Sequence, residues 1–327
     1  METLDIIIPS YNSKETLKRL LYSITIQKKF TSFKVYIVND CSDYKYTDII
    51  NTFKNFFDIT ELYLENNMGP GFARQYGIDH SDSKYITFID ADDYLFSPYS
   101  LYNLTYNLDK NYDLLITNFL LESPNGNIII KNDYAWLHGK VYKRKFLYNN
   151  SICFNNTRAN EDNGFNYLVR FHKPRTLVLD TLTYVYSNNP NSITRRDNCL
   201  YEFYNLKYFA YNIQWAINRA LNKNIQSYDI ILVSLKALVT MYFFYLEFYN
   251  KYDIKKICTW SKDLKKLFDK FYKKYISDQT INKEINLKNE EYFQRNINID
   301  FRISFFDFLK LVEEDTNDWY NNAIIQW

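Results

Sequence analysis

The chain has 327 residues, enough for a substantial buried core and for two domains of ordinary size. Its 46% hydrophobic and 24% charged residues exclude a disordered or collagen-like protein, and no uninterrupted apolar run approaches the ~18 residues of a membrane-spanning helix, so we expect no transmembrane segment. The 40 basic and 38 acidic residues leave a net charge of only +2, which neither requires nor excludes a polyanionic partner.

Aromatic residues make up 19% of the chain, whereas Gly occurs only 6 times. AT-biased coding explains such a composition, and so do stacking surfaces for sugars or bases; both explanations stay open. The four cysteines are scattered without metal-ligand or disulfide spacing. The first residues lack the pattern of a signal peptide, so we predict a cytoplasmic location, with peripheral membrane contact left open.

Strand-like and helix-like patterns alternate in the first half of the chain. The predicted strands span residues 4–8, 33–38, 62–64, 85–89, 113–120 and 177–187, and a helix is predicted over 161–170. Local signals are a capping box from Asn12, an N-cap followed by proline at Ser97-Pro98, and a hairpin turn at Asn125-Gly126. This alternation predicts an α/β fold with a mostly parallel sheet, in which ligands lie outside the carboxyl ends of the strands.

Beyond residue 198 the apolar residues follow helical spacing alone. The predicted helices span residues 201–221, 228–249, 254–276 and 303–312. We therefore predict two domains, an α/β domain over residues 1–198 and an α-helical domain over residues 199–327. The helix 228–249 is very apolar, but Asp229, Lys236 and Glu247 interrupt it and favour a buried core helix over a membrane segment.

An acidic cluster, Asp90-Ala91-Asp92-Asp93, follows the predicted strand 85–89 directly. Carboxylates this close repel one another unless a cation or solvent relieves them, and hard divalent ions such as Mg²⁺ or Mn²⁺ prefer oxygen ligands of this kind. An acidic turn without a ligand fits the same residues. The pattern alone leaves both interpretations open.

Three further motifs stand at the ends of predicted strands, in a fixed order with the acidic cluster. They are Ile6-Ile7-Ile8-Pro9-Ser10-Tyr11-Asn12, Val38-Asn39-Asp40-Cys41-Ser42-Asp43 and Asn67-Met68-Gly69-Pro70-Gly71-Phe72-Ala73-Arg74-Gln75-Tyr76-Gly77. In this order the motifs resemble those of the family 2 glycosyltransferases of the GT-A fold, over about residues 3–197. The resemblance implies a Rossmann-like GT-A catalytic domain, followed here by the α-helical C-terminal module.

The resemblance implies a set of residues that bind a UDP-sugar donor. Pro9, Tyr11 and Asn12 match the loop that embraces the nucleotide, with the ring of Tyr11 against uracil. Asp40 matches the acid that hydrogen-bonds the nucleotide, and Arg74 the arginine near the base and diphosphate. Taken singly, each of these residues also fits an ordinary surface or turn position.

The resemblance also implies a metal site in the acidic cluster. Asp90, Ala91 and Asp92 match the metal motif, with Asp92 as the direct ligand of Mn²⁺ or Mg²⁺ and Asp90 nearer the ribose. Some relatives add a later histidine, but the matching stretch 186–195 has none; Arg195 in that stretch is a candidate contact for the diphosphate. Cys41 stands where the family usually has glycine.

A second acidic site, Glu161-Asp162, matches the family's "E-D" motif. Acids at a helix amino terminus are also stabilised by the helix dipole without any catalytic role. The resemblance implies that Asp162 is the general base that accepts the proton of an acceptor hydroxyl, with Glu161 orienting the site or binding the acceptor.

Candidate acceptor contacts lie in the stretch from Trp136 to Tyr142, which is similar to the family's "W-x-K-x-Y" region. Trp136 would stack on a sugar and His138 would touch substrate, although a lone histidine is more often structural. The helical domain has a basic stretch, 251–274. A solvated helix face accounts for these lysines, as does contact with a polyanionic acceptor or an anionic membrane surface.

These observations predict a metal-dependent, inverting glycosyltransferase that moves a hexose from a UDP-sugar to an acceptor hydroxyl. The acceptor is left open between a glycan, teichoic acid and a hydroxymethylated base in DNA, which would have to be flipped from the stack. Two other classes remain: a sugar-nucleotide nucleotidyltransferase, for which the expected glycine-rich phosphate loop is missing, and a non-catalytic nucleotide-binding module.

Overall fold

The computed structural model describes residues 3–123, 126–131, 133–189, 200–225, 227–272, 274–295 and 297–314. The chain divides into two compact units, Met1–Tyr201 and Glu202–Trp327. The boundary predicted near residue 198, and Asn125 of the predicted hairpin turn, fall outside the described residues.

The first unit is built from strands and short helices. Its strands are β1 (Leu4–Ser10), β2 (Phe33–Asn39), β3 (Asp58–Tyr63), β4 (Tyr85–Phe88), β5 (Tyr94–Leu95), β6 (Leu114–Leu121), β7 (Ile128–Ile130), β8 (Lys140–Lys143) and β9 (Thr176–Tyr186). Its helices are α1 (Lys14–Thr25), α2 (Thr47–Phe53), α3 (Pro70–His80), α4 (Ser100–Thr105), α5 (Arg144–Asn149) and α6 (Glu161–Phe171), with a 3₁₀ turn at Leu108–Lys110.

The strands form one mixed sheet in the order β3-β2-β1-β4-β8-β6-β9-β5, with β7 paired to β6 beside this path. β1 lies between β2 and β4, is parallel to both, and is almost fully buried, as expected for a central strand between layers of helices. β8 runs antiparallel to both β4 and β6. The prediction of a mostly parallel sheet is therefore right for β1 to β4. The later strands are mixed, because β6 and β9 are parallel to each other whereas β5 is antiparallel to β9.

Two helices begin later than their sequence signals suggest. The capping box predicted from Asn12 is wrong, because α1 begins after Ser13 and Asn12 has a left-handed backbone with φ of 50°. The side-chain amide of Asn12 donates instead to Oδ2 of Asp43 at 3.0 Å, which connects the loops after β1 and β2. Likewise, α4 begins at Ser100 and not at Pro98.

The second unit is helical in the residues that the structure describes. Its helices are α7 (Leu200–Asn222), α8 (Tyr228–Phe248), α9 (Lys255–Phe271), α10 (Asp278–Gln294) and α11 (Phe305–Glu314). The sequence did not predict α10, because this helix is mostly polar and buries only Ile281, Glu284 and Tyr292. The helix predicted over 254–276 stops at residue 271, where Tyr272 turns extended with ψ of 155°.

α8 is the core helix of the second unit. By length and a mean hydropathy of 1.7 it is the one described helix apolar enough to cross a membrane. However, 72% of that apolar window is buried inside the protein, where α8 packs against α9, α10 and α11. This burial favours the core helix that the charged interruptions predict.

Candidate active site

The predicted site residues gather where the parallel strands of the first unit end. β1 ends at Ser10, just before Tyr11, and β2 ends at Asn39, just before Asp40. The acidic cluster follows β4, the neighbour of β1 on its other side. Because adjacent parallel strands end at the same edge of a sheet, these three loops come together there, as the alternating pattern predicts.

The loop after β1 leaves the predicted uracil contact open to solvent. Tyr11 is 49% exposed, and the preceding Pro9 is half-buried in β1. Ser10 donates to the Tyr46 hydroxyl at 2.7 Å, and Tyr46 is itself buried, so the base of the loop is fixed to α2. The ring of Tyr11 is therefore available to a planar ligand, and its contact with uracil stays a prediction.

Asp40 is buried and already holds backbone groups. Its carboxylate accepts from the backbone N–H groups of Met68 at 2.7 Å and Gly69 at 2.8 Å. Burial raises its pKa, although these two hydrogen bonds work in the opposite direction. The structure thus places Asp40 as the anchor of the loop that leads into α3, and a contact with the nucleotide stays a prediction.

Cys41 occupies a backbone position that suits glycine. Its φ of 60° lies in the left-handed region, where a side chain costs roughly 1–2 kcal/mol. The thiol donates to the carbonyl oxygen of Glu65 at 3.3 Å. The departure from the family pattern therefore keeps the turn that glycine would make, at a cost in backbone strain.

Arg74 connects the two acidic motifs. From α3, its guanidinium donates to Oδ1 of Asp90 at 2.6 Å and to Oε1 of Glu161 at 2.5 Å. Burial disfavours the charge of Arg74, but the two carboxylates outweigh it and raise its pKa. The buried Nε has no hydrogen-bond partner among the described residues. Arg74, predicted as a donor contact, is thus also the bridge between the predicted metal motif and the predicted catalytic acids.

Gly71 allows α3 and α6 to approach this closely. A Cβ on Gly71 would lie 2.9 Å from both the carbonyl oxygen of Asn155 and Cγ of Glu161. Real Cβ atoms are not found at such distances, so any side chain here would displace Glu161. This close approach is the backbone reason for one of the few glycines.

Asp90 is held in its ionised form. Burial opposes the charge, but the Arg74 guanidinium and His138 outweigh it and hold the pKa of Asp90 well below its usual range. Nε2 of His138 lies 3.7 Å from Oδ2 of Asp90, while Nδ1 is buried without a hydrogen-bond partner in the described part of the chain. An ionised, partly exposed carboxylate of this kind is suited to a divalent cation.

Asp93 is fully buried, and its carboxylate binds groups at the end of β9. Its carboxylate accepts from the Tyr184 hydroxyl and from the backbone N–H of Ser187 at 2.9 Å. Burial, together with the charges of Asp90 and Asp92, raises its pKa well above the usual value. Ligand atoms of Asp90, Asp93 and His138 lie within 4.8 Å of one another. Since both oxygens of Asp93 are already engaged, Asp90 is the better cation ligand of that group.

Asp92 lies outside the group formed by Asp90, Asp93 and His138, and it contacts the segment that follows β9. Its Oδ2 accepts from the side-chain amide of Asn189 at 3.0 Å, and its carbonyl oxygen accepts from the guanidinium of Arg19. Arg19 also donates to the Ser187 hydroxyl at 2.7 Å and lies over the Tyr94 ring, 4.8 Å from its centroid. The acidic loop is thus connected to α1 and to the chain that follows β9.

Asp162 stands beside Glu161 in the first turn of α6. It is half-buried, and Oδ1 accepts from the backbone N–H of Asn163 at 2.8 Å. Burial and the charge of Glu161 raise the pKa of Asp162 to about 7, against the opposing effect of Arg74. A carboxylate with a pKa near neutrality is suited to accept and release protons at physiological pH.

The stretch that carries Trp136 and His138 packs into an aromatic cluster. The ring of Trp136 lies 5.5 Å from Phe119 and 5.8 Å from Tyr186, measured between centroids. His138 stacks on Tyr186 at 4.9 Å. Both residues are therefore part of the core beside the acidic loop, and their contact with an acceptor stays a prediction.

Lys140 is a buried cation next to the site; it lies in the stretch from Trp136 to Tyr142, but the sequence predicted no role for it. Its ammonium donates to the carbonyl oxygen of Trp136 and lies 3.6 Å from Oδ1 of Asp133. Burial lowers its pKa to about 8, although Asp133 and Asp162 work in the opposite direction. It fixes the turn before β8, on which Trp136 and His138 lie.

For other residues of the site the sequence signal was missing or incomplete. Arg19 lies on a helix face with no motif, and its partners are found only in the folded chain. Asp93 belonged to the acidic cluster, but its complete burial could not be read from the pattern. Arg195, the predicted diphosphate contact, lies outside the described residues.

The comparison with known families agrees with this geometry. The sequence profile described as "Glycosyl transferase family 2" matches residues 5–167, which include both acidic motifs and Arg74. The chain belongs to this family. The family match favours the glycosyltransferase interpretation over a nucleotidyltransferase.

Two curated members of family 2 illustrate the relationship. The poly(ribitol-phosphate) beta-N-acetylglucosaminyltransferase TarS of Staphylococcus aureus is 26% identical over 207 residues, which cover 57% of this chain and 36% of TarS. The poly(ribitol-phosphate) beta-glucosyltransferase of Bacillus spizizenii is 28% identical over 184 residues, covering 50% of this chain and 28% of that enzyme. The match thus spans only about a third of each relative.

The fold of this family 2 member is also found in solved structures. A crystal structure of S. aureus TarS 1-349 superposes with a TM-score of 0.68 at 18% identity, covering 95% of this chain and 90% of that one. The structure of TarS 1-349 in complex with UDP-GlcNAc superposes with a TM-score of 0.66 at 18% identity, covering 92% of this chain and 94% of that one. These matches confirm the predicted Rossmann-like GT-A fold followed by C-terminal helices.

Proposed function

We propose that this protein is an inverting glycosyltransferase that transfers a hexose-type sugar from a UDP-sugar to the hydroxyl of an acceptor. The family match, and the relatives' names, support transfer from an activated sugar. The structure of TarS with UDP-GlcNAc supports a UDP-linked donor. The exposed ring of Tyr11, at the end of β1, is the candidate platform for the uracil.

The observation that carries this proposal is the pair of contacts made by Arg74. One guanidinium bonds both to Asp90, in the predicted donor motif, and to Glu161, next to the predicted base Asp162. Donor-side and acceptor-side acids are thereby held in one network. This network supports a site in which an acceptor hydroxyl and the anomeric carbon meet in one small region.

Asp162 is the proposed general base. Its carboxylate takes the proton of the acceptor hydroxyl while that oxygen forms a bond to the anomeric carbon. The bond from the anomeric carbon to the diphosphate oxygen breaks at the same time, UDP leaves with the bonding electrons, and the configuration inverts. This single displacement needs one base and no nucleophile of the enzyme, which agrees with one carboxylate whose pKa is near 7.

The carboxylate oxygens of the acidic cluster are ligands of the kind that a hard divalent cation, Mn²⁺ or Mg²⁺, prefers. Asp90 is ionised and partly exposed, and the Asp92 carboxylate beside it offers further oxygen ligands. We propose Asp92 and Asp90 as the residues that would hold the ion. When bound there, such an ion neutralises negative charge on the departing diphosphate.

For the acceptor we propose a polyol-phosphate polymer of the teichoic acid type. The names of both relatives specify poly(ribitol-phosphate) as the polymer they glycosylate. A hydroxyl-bearing base in DNA and an uncharged glycan are the alternatives that the same chemistry allows. The cytoplasmic location likewise remains a prediction.

The test is a donor and acceptor panel with the full chain in the presence of Mn²⁺. We expect release of UDP from one UDP-hexose or UDP-N-acetylhexosamine, and faster release when poly(ribitol phosphate) is added. Asp162→Asn should lose transfer, whereas Asp48→Asn, an exposed acid on α2, should behave like the wild type. Transfer by Asp162→Asn at the wild-type rate would refute the assigned base, and release of pyrophosphate in place of UDP would refute the reaction.

A further inference from the structure

One face of α7 carries a line of aromatic side chains. Tyr204, Tyr208, Tyr211 and Trp215 follow one another at spacings of four, three and four residues, which places them on one side of the helix. Tyr204 and Tyr211 are 45% and 51% exposed, and the other two rings are half-buried. At the rise of an α-helix the line is about 16 Å long.

Cations lie over three of these four rings. The distances to the ring centroids are 5.2 Å for Lys256 over Tyr204, 4.7 Å for Lys207 over Tyr208 and 5.2 Å for Arg219 over Trp215. A cation over a ring face is attracted by the electron density of that face. The line is therefore a set of rings with positive charges beside them, which differs from an apolar stripe.

The charge around this face is one-sided. α7 has no acidic residue between residues 203 and 222, where it carries Lys207 and Arg219. The adjoining start of α9 packs on α7 through Phe203 and Trp260, whose centroids are 5.4 Å apart. Residues 251–262 of that region contain one acid, Asp253, and these four lysines: Lys251, Lys255, Lys256 and Lys262.

We propose that this aromatic and basic face, defined by Tyr204, Lys207, Tyr208, Tyr211 and Lys256, binds the acceptor polymer. The proposal rests on the proposed function and deepens it by naming a surface for the acceptor. A polyol-phosphate chain alternates anionic phosphodiesters with the C–H faces of its polyol units. Lys207 of α7 and Lys256 of α9 pair with the phosphates, and the tyrosine rings beside them pack on the polyol carbons, which removes apolar surface from water.

The composition of the face favours such a polymer over a membrane. A helix that inserts into a bilayer surface presents residues such as Leu and Phe to the acyl chains. The exposed positions of α7 between residues 203 and 222 hold Tyr204, Tyr211, Asn218 and Asn222 instead, with no leucine, isoleucine or phenylalanine among them; Phe209 and Leu221 are half-buried. Each tyrosine hydroxyl can also donate to a phosphate or polyol oxygen.

The experiment measures binding of unsubstituted poly(ribitol phosphate) to the full chain by calorimetry, without any UDP-sugar. We expect wild-type affinity to fall as salt is raised, and Lys207→Glu/Lys256→Glu to lower affinity by about 10-fold or more. The matched control is Lys283→Glu/Lys310→Glu, which makes the same charge change on exposed positions of α10 and α11 and should stay within about 2-fold. Thermal unfolding confirms that both double variants are folded.

A second pair of variants tests the rings. Tyr204→Ser/Tyr211→Ser should weaken polymer binding, whereas Tyr228→Ser, which removes a tyrosine that is 57% exposed at the start of α8, should not. Single-stranded DNA of equal charge and vesicles rich in anionic lipid are the comparison ligands. Tighter wild-type binding to either of them, or equal polymer binding by all variants, would overturn the proposal.

The outcome is independent of the reaction itself. If the α7 variants lose polymer binding and yet the wild type transfers no sugar, the proposed function fails and the binding surface stands. If the wild type glycosylates the polymer and the α7 variants bind it normally, the surface is wrong and the proposed function stands.

Discussion

Arg74 donates to Glu161 at 2.5 Å, although 87 residues separate the two in the sequence. The same guanidinium donates to Asp90 at 2.6 Å. Because Glu161 begins α6 and Asp90 follows β4, this side chain fastens the predicted catalytic acids to the predicted donor acids. The arrangement makes Arg74 important for stability as well as for the proposed reaction.

Arg74→Met should destabilise the protein by about 3–5 kcal/mol, because it leaves carboxylates buried without their charged partner. The matched control is Lys34→Met, which removes an ion pair with Asp82 at 3.0 Å whose side chains are 41% and 71% exposed. That control should cost far less, because both of its side chains are exposed and water screens the pair. The measurement is the free energy of unfolding in urea; equal losses in the two variants would show that burial of the Arg74 network does not matter.

The rate of sugar transfer should depend on the ionisation of Asp162. A general base must be deprotonated to act, so kcat/KM should fall as the pH is lowered through about 7, the pKa of Asp162. The measurement is a pH–rate profile at saturating Mn²⁺. The control Asp48→Asn, on the exposed side of α2, should show the wild-type profile. A wild-type rate that stays constant from about pH 5.5 to about pH 8.5, on both sides of this pKa, would contradict the assignment.

Asp162 should affect the stability of the protein in the opposite direction: the rate of transfer rises with pH, whereas the stability contributed by this residue falls. Since folding raises the pKa of Asp162 from 3.8 to about 7, the folded state favours its protonated form. Its contribution to the free energy of unfolding is therefore present at low pH and is lost as the pH rises through about 7. Asp162→Asn has no such charge, so its free energy of unfolding relative to the wild type should increase between about pH 5 and about pH 8, on either side of that pKa. Urea unfolding at several pH values measures this difference.

Gly71→Ala should disturb the contact between α3 and α6. The new methyl group would meet Asn155 and Glu161 at 2.9 Å, and such overpacking costs about 1–3 kcal/mol. We expect this loss in urea unfolding, together with slower transfer because Glu161 is displaced. Asp79→Ala, on the same helix at an exposed position, should change stability by less than about 0.5 kcal/mol, and a similar effect of both variants would argue against the close approach.

Removal of divalent metal should abolish transfer. We expect EDTA-treated protein to release no UDP, and Mn²⁺ or Mg²⁺ to restore activity. Asp92→Asn should raise the metal concentration for half-maximal binding of UDP by about 10-fold or more. Calorimetry of UDP binding at several Mn²⁺ concentrations measures this shift; undiminished transfer after chelation would show that no metal takes part.

Much of the fold could be predicted because its signals are local. Alternating strand and helix patterns identify the α/β half, and uninterrupted helical spacing identifies the helical half. The acidic cluster after β4 and the acids that begin α6 were found for the same reason. The polar helix α10 was missed because few of its residues are buried, so its sequence carries little periodicity.

The sequence by itself determined the family, the GT-A fold and the ends of the strands at which the site is built, because motifs and periodicity involve neighbouring residues. Only the tertiary structure decided the partners of those residues. Asp40 holds the backbone of Met68 and Gly69, and Arg74 joins Asp90 to Glu161. Such contacts join groups that lie 16 to 87 residues apart, and burial after folding shifts the pKa values of the ionisable side chains among them.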